Sequence, residues 1–444
     1  MKDEIQLSDH FSYKRLIKFV IPSVVMMIFT SIYGVVDGLF VSNFVGKIPF
    51  AAVNIIFPVM MVLGGFGFML GTGGTAIVAK TLGLGEKEKA NEYFTFIIIF
   101  TAAGGATLAV IASSLAEPIA KLLGAEGEML EYAVRYGRIV LLGMPFFMLQ
   151  NSFQNFFITA EKPKLGLAVT VIAGVTNMVL DALLIAVFNL GIEGAALATS
   201  LSQMVGALIP VFYFAFTKTS AIRFVRTHAY WSMLFKACYN GFSELLSNIS
   251  SSVVTILYNY QLLRFAGEDG VAAYGAIMYV AFIFIAIFIG FVIGASPIVS
   301  FHFGAGNTDE LKSLRKKSIN IVLVVGGVML ITAFLLSRPL CQLFVGYDQL
   351  LFDITLRGFV IYAFSYMLSG FNIFGSSFFT ALNDGTVSAI ISFLRTLVFQ
   401  VLAILLLPEL LALDGVWLSI IFAELLSCVV TVCFLVIKKK KYNY

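Results

Sequence analysis

Runs of about 20 apolar residues, the length a helix needs to cross the hydrocarbon core of a bilayer, recur along this whole chain. A short polar stretch closes each run. The pattern predicts twelve membrane-spanning helices, near 16–45, 52–82, 92–115, 131–160, 164–188, 192–216, 235–264, 271–303, 315–337, 350–381, 386–407 and 413–437. The longest of these need tilt, or ends that stand out of the lipid. Composition agrees: 59% of the 444 residues are hydrophobic and 12% charged, with a mean hydropathy of +0.96. A soluble protein of this size would need a far more charged exterior.

Set against itself at half its length, the chain repeats without a gap. "GKIPFAAV" at 46 meets "GEDGVAAY" at 267, "IVAKTLGLGEKEKANE" at 77 meets "IVSFHFGAGNTDELKS" at 298, and "EPIAKLLG" at 117 meets "RPLCQLFV" at 338. "FITAEK" at 157 and "IEGAALA" at 192 meet "FFTALN" at 378 and "LDGVWLS" at 413. Six spans per half is an even number, so both halves enter the membrane in the same direction. The expected fold is all-α: two six-helix lobes related by a parallel repeat, as in many secondary transporters. The N-lobe is read as 1–216, a basic linker as 217–234 and the C-lobe as 235–444.

Most of the 29 Lys and Arg fall on one side if the N-terminus is inside, from Lys2, Lys14, Arg15 and Lys18 through Lys218 to the run Lys438–Lys441. Both termini are therefore expected in the cytoplasm of a cell-membrane protein. The formal net charge of +4 reflects that bias and implies no nucleic-acid partner. The tail suits anionic head groups of the bilayer. The segment before the first span is polar and mixed in charge, unlike a cleavable signal. Cys238, Cys341, Cys428 and Cys433 read as small membrane-buried side chains, and the three histidines suggest no metal site. No phosphate loop of the form GxxxxGK[ST] is present, so the energy source is expected to be an ion gradient rather than ATP.

A charged side chain at mid-membrane costs about 2.5–3.5 kcal/mol on insertion scales, so each one needs a partner or a task. Asp37 lies roughly 33 Å along span one from Arg15, at about 1.5 Å per residue, which puts it in the outer half. Asp181 and Asn177 share one face of span five, and Thr199 on span six falls at the same depth. Two acids close together in low dielectric either share a proton or hold a cation such as Na⁺, for which carboxylate, amide and hydroxyl oxygens are suitable ligands. The blander role is a protonated acid fixing helix packing.

In the C-lobe, Glu244, Asn248, Ser251, Thr255 and Asn259 form a polar stripe on span seven. Arg395 and Glu424 are candidates for an intramembrane ion pair, with Arg395 matched to Glu244 or Glu424. Span four carries Gln150, Asn151, Gln154 and Asn155, and Asn372 is the repeat partner of Asn151. These amides suggest a wet cavity wall. Met26, Met61 and Met178 add adaptable apolar surface.

Pro22 followed fifteen residues later by Asp37, the Asn177/Asp181 pair and Thr199 together resemble the MATE (multidrug and toxic compound extrusion) family. The likeness runs over essentially the whole chain, nearest the MepA-like branch, with DinF-like features in the N-lobe. The resemblance implies export of lipophilic or cationic small molecules in exchange for H⁺ or Na⁺; no cofactor is expected, the lack of a His-rich or HExxH pattern argues against an enzymatic step, and a monomer is expected. It also implies that span one bends near Pro22. Glu244 lies near the inner end of span seven, unlike the outer C-lobe acid of some relatives, so the coupling role is carried over only for the N-lobe. The alternatives are a flippase for a lipid-linked saccharide and, more remotely, an intramembrane enzyme. Flippases of that kind line their cavity with basic groups, whereas the N-lobe charges here are acidic.

Overall fold

The computed structural model describes residues 5–217 and 220–444, so the predicted cytoplasmic charges Lys2 and Lys218 lie outside the described residues. Twelve spans are present among the described residues. In the N-lobe they are α1 (Tyr13–Val45), α2 (Lys47–Gly83), α3 (Lys87–Ser114), α4 (Gly127–Leu142 and Met144–Thr159), α5 (Pro163–Val187) and α6 (Gly191–Phe216). Helix Trp231–Gly304 divides at Gly267 into α7 (231–266) and α8 (268–304). Then come α9 (Thr308–Val345) and α10 (Gln349–Ala363 and Ser365–Ala381, bent by 44°). Helix break Ala412 separates α11 (385–411) from α12 (413–437). Local sequence sets several starts: Ser12, Asn307 and Asp384 accept from the backbone N–H three residues on, and Pro163 opens α5. The ninth span, expected at 315–337, is longer at both ends, and a short helix, Ala116–Leu122, follows α3 unforeseen.

The repeat is visible in the backbone. Positive φ occurs at Gly46, Gly85 and Gly191 and again at their repeat partners Gly267, Gly306 and Ala412. In the first two pairs both residues are glycine, which makes that conformation inexpensive. Ala412 adopts it with a Cβ, at φ +49°.

The lobes meet backbone to backbone in the half of the bundle that carries the termini. A Cβ on Gly73 of α2 would come within 2.0 Å of the Ala237 carbonyl oxygen on α7, and one on Gly241 equally near the Met69 carbonyl. Gly83 and Gly304 make the corresponding approach between α2 and α8. Gly290 and Gly294 of α8 lie against Ser23, Val24 and Val20 of α1. None of these glycines has room for a side chain of its own, so the lobes are closely packed at this end.

An N-terminal strap crosses the same end. The Leu7 amide donates to Glu161 of the N-lobe at 2.7 Å, and the Phe11 amide to Glu310 of the C-lobe at 2.9 Å. Leu7 and Phe11 are fully buried, and Lys317 donates to the Phe11 carbonyl. The linker is pinned to α3: Arg223 and Val225 amides donate to Asn91 and Thr95, and Thr227 to the Glu92 carbonyl. At the other terminus the Tyr442 hydroxyl donates to Asp384 at 2.6 Å. Burial and that carboxylate hold the Tyr442 phenol above its ordinary range.

Candidate functional site

Asp37 stands one turn before a widened π-helical turn, Val41–Val45, and Asp181 directly before another, Ala182–Val187. Such turns shift side chains off the regular helical register and recur at functional sites. α1 and α5 lie so close that a Cβ on Gly174 would come within 2.5 Å of the Phe29 ring and 3.0 Å of Tyr33. That approach sets Asp37 beside Asp181, Asn177 and Thr199. The four residues predicted to share a depth thus share one site.

The site is buried and rich in oxygen. Asp181 is 0% exposed and Asn177 2%. Oδ1 of Asp37, both Asp181 oxygens, Oδ1 of Asn177 and Oγ1 of Thr199 are buried with no hydrogen-bond partner among the described residues. Ionised carboxylate and amide oxygens only accept, so the Asp37, Asp181 and Asn177 oxygens can satisfy one another only through a shared proton or a cation, while the Thr199 hydroxyl can either donate to a carboxylate or ligate a cation. Tyr136 of α4 lies beside Asp37, Asp181 and Thr199. The sequence reading missed it, because a tyrosine in the mixed run "EYAVRYGRIV" carries no burial signal. The second of two apolar clusters in the N-lobe, around Ala52, Ile56, Ala112, Tyr136 and Ile192, backs the site. α1 passes through Pro22 without a break, four residues above Lys18, whose carbonyl loses its usual helical donor there.

The C-lobe resolves the choice left open for Arg395. It sits in a third π-helical turn, Leu394–Val398, and pairs with Glu424: Nη2 to Oε1 is 2.8 Å and Nε to Oε2 is 3.1 Å. Ser369 donates to the same carboxylate at 3.1 Å and Asn372 at 2.6 Å, while Thr431 donates to Asn372. Asn372 therefore belongs to this closed network and not to a cavity wall. Glu244 makes no ion pair or side-chain hydrogen bond with any described residue, and its nearest influence is the more distant charge of Arg395. Asn248 turns its amide onto the Glu244 carbonyl, while Ser251 and Thr255 of the same stripe are exposed.

The span-four amides also differ from expectation. Gln150, Asn151, Gln154 and Asn155 are 4–7% exposed. Gln154 donates to Thr170, Asn155 to the Asn151 carbonyl, and Gln150 fills the space beside Gly206. They lie between helices of one lobe, because Gly71 and Gly206 let neighbouring backbones close over them. Met26 is buried, whereas Met61 and Met178 are half-buried.

Comparison with known proteins matches this architecture. A family model described as MatE fits the chain twice, over residues 22–183 and 245–405, one match in each half. Multidrug export protein MepA of Staphylococcus saprophyticus is 26% identical over 372 residues, covering 81% of this chain and 80% of that one. The protein of the same name from Staphylococcus haemolyticus is 25% identical over 431 residues, covering 96% and 94%. Among solved structures, a MATE in complex with MaL6 superimposes with a TM-score of 0.94 at 22% identity over all of both chains. An outward-facing multidrug resistance MATE family transporter of the MOP superfamily gives 0.93 at 22%, over 100% of this chain and 99% of that one. With its twelve helices in two like lobes and a family match in each, this chain belongs to the MatE family.

Proposed function

We propose that this protein is a secondary multidrug efflux transporter of the cell membrane. It exports lipophilic or cationic small molecules in exchange for H⁺ or Na⁺, with both termini in the cytoplasm. The observation that carries the reading is the set of buried oxygens without a hydrogen-bond partner on Asp37, Asn177, Asp181 and Thr199. With an ion among them, α1 and α5 are drawn together. Without it, the two carboxylates repel and α1 is driven outward. The unpaired carbonyl opposite Pro22 lets α1 bend at that point. Export is then the exchange of a guest for the ion, with the glycine contacts closing the terminus-bearing side meanwhile.

In this reading Glu244 is the free carboxylate that meets a cationic guest, beside Asn248 and below the exposed hydroxyls of Ser251 and Thr255. Half-buried Met61 and Met178 supply adaptable apolar contact. Arg395 and Glu424, already satisfied by each other, hold the lobe together. Because both lobes come from one chain, a monomer suffices.

The test is efflux of a fluorescent lipophilic cation from proteoliposomes under an imposed H⁺ or Na⁺ gradient. Wild type is expected to follow one gradient, and Asp37→Asn to lose gradient-driven transport. Equal transport by the two proteins would make Asp37 a packing residue.

A further inference from the structure

A cavity of about 200 Å³ lies between the lobes in the terminus-bearing half, away from the carboxylate site. Ile17, Val20, Ile21 and Val24 of α1 form one wall; Ile287, Phe288 and Phe291 of α8 and Ile321, Val322 and Val325 of α9 form the others. Every lining side chain is apolar. Ile17 and Ile21 are 40% and 50% exposed, so the cavity opens sideways onto the surface that faces lipid. Asp37 is about 30 Å further along α1 than Ile17, counting 1.5 Å per residue. This is a second site.

We propose that it holds one acyl chain of an anionic phospholipid from the adjacent leaflet, whose head group rests on Lys14 and Lys18. Both lysines are exposed, and neither makes an ion pair or hydrogen bond with any described residue. Their neighbour Arg15, by contrast, is paired with Asp9 at 3.0 Å. Lys14 is one turn before Ile17 and two before Ile21, so the free charges stand at the mouth of the cavity on the helix that walls it. Lys18 to Val24 is about 9 Å of helix, so a chain descending from a head group at the lysines reaches the cavity in its upper portion. Asn320 of α9 donates to the Tyr13 hydroxyl of α1 at 2.8 Å, tying the two walls together at the lysine end. A zwitterionic lipid would fill the cavity but leave both lysines without counter-charge.

The position matters because the walls belong to different lobes. The α1 wall brackets Pro22, and a Cβ on Gly290 of α8 would come within 2.7 Å of the Ser23 carbonyl. The lipid therefore fits only while the lobes are together at this end, and it stabilises that arrangement. The inference rests on the membrane placement of the helices and not on ion coupling.

The experiment is native mass spectrometry of the full chain, purified in detergent and titrated with dioleoylphosphatidylglycerol or dioleoylphosphatidylcholine. Wild type is expected to retain one phosphatidylglycerol in preference to phosphatidylcholine. Lys14→Gln/Lys18→Gln should weaken that retention about 25-fold, about fivefold per lysine near an anionic surface. Val325→Phe, which fills the cavity, should abolish retention of both lipids. Melting temperatures in lipid-free detergent check that each variant is folded; should Val325→Phe misfold, the lysine pair carries the test. Equal retention of the two lipids by wild type, or undiminished phosphatidylglycerol on the lysine variant, would overturn the proposal. So would displacement by glycerol phosphate alone, which would mark a simple anion site. None of these readouts requires transport, so a failed transport assay leaves them standing.

Discussion

Replacing Arg395 by methionine removes the counter-charge of Glu424 while keeping an unbranched, flexible side chain at the position. Glu424 is 1% exposed, and it would keep only the Ser369 and Asn372 donors. Breaking a buried pair from one side costs about 3–5 kcal/mol, because a charge is left uncompensated. Replacing both partners by apolar residues of similar size is close to neutral in comparable cases. Arg395→Met should therefore lower the melting temperature in detergent by on the order of 10 °C. Arg395→Met/Glu424→Leu should recover most of that loss, since the Asn372 amide keeps the backbone carbonyl of residue 424, 2.9 Å away, as an acceptor. The assay is thermal unfolding of the four proteins of the cycle, with proteoliposome transport measured in parallel. The double variant should transport at close to the wild-type rate, since the members of the network are satisfied by one another. A single variant as stable as wild type would refute the energetic reasoning. A stable double variant that cannot bind or move a guest would refute the structural role of the pair.

Three further outcomes follow from the same contacts. Gly241→Val places side-chain atoms where the Met69 carbonyl now lies, so it should hold the lobes apart and cut transport at least tenfold; raised labelling of a cysteine introduced at Ser243 would report the opened contact. Glu310→Ala removes the acceptor shared by the Phe11 amide and His10 Nδ1, at 2.9 and 2.6 Å, and should raise protease cleavage within residues 5–12 with little change in melting temperature. Ala412→Gly relieves a left-handed residue with a Cβ and should stabilise the protein by about 1 kcal/mol, read as a higher melting temperature.

The spans and the repeat were legible because membrane solvent leaves a long apolar signature and because the halves still align without a gap. Asp37, Asn177, Asp181 and Thr199 could be grouped by counting depth along helices, and Arg395 could be assigned an acid but not which one. Glu424 is chosen because α11 and α12 are neighbours and the π-helical turn aims Arg395 at it, neither of which is written in local sequence. The span-four amides read as a wet wall because an amide facing another helix and one facing water look alike in a hydropathy pattern. The deciding residues were Gly71 and Gly206 on other helices. The strap was invisible for a related reason. Leu7 and Phe11 are isolated apolar residues in a polar segment, and only Glu161 and Glu310, each far away in sequence, give them a place.

Substrate-induced ion release tests the central claim most directly. The purified protein, in weak buffer or loaded with radioactive Na⁺, is mixed with a saturating lipophilic cation, and the released H⁺ or Na⁺ is counted. Wild type should release about one ion or more per molecule, and Asp37→Asn and Asp181→Asn should release markedly less while still binding the cation. Binding by wild type without release, or undiminished release from both variants, would contradict exchange at these carboxylates.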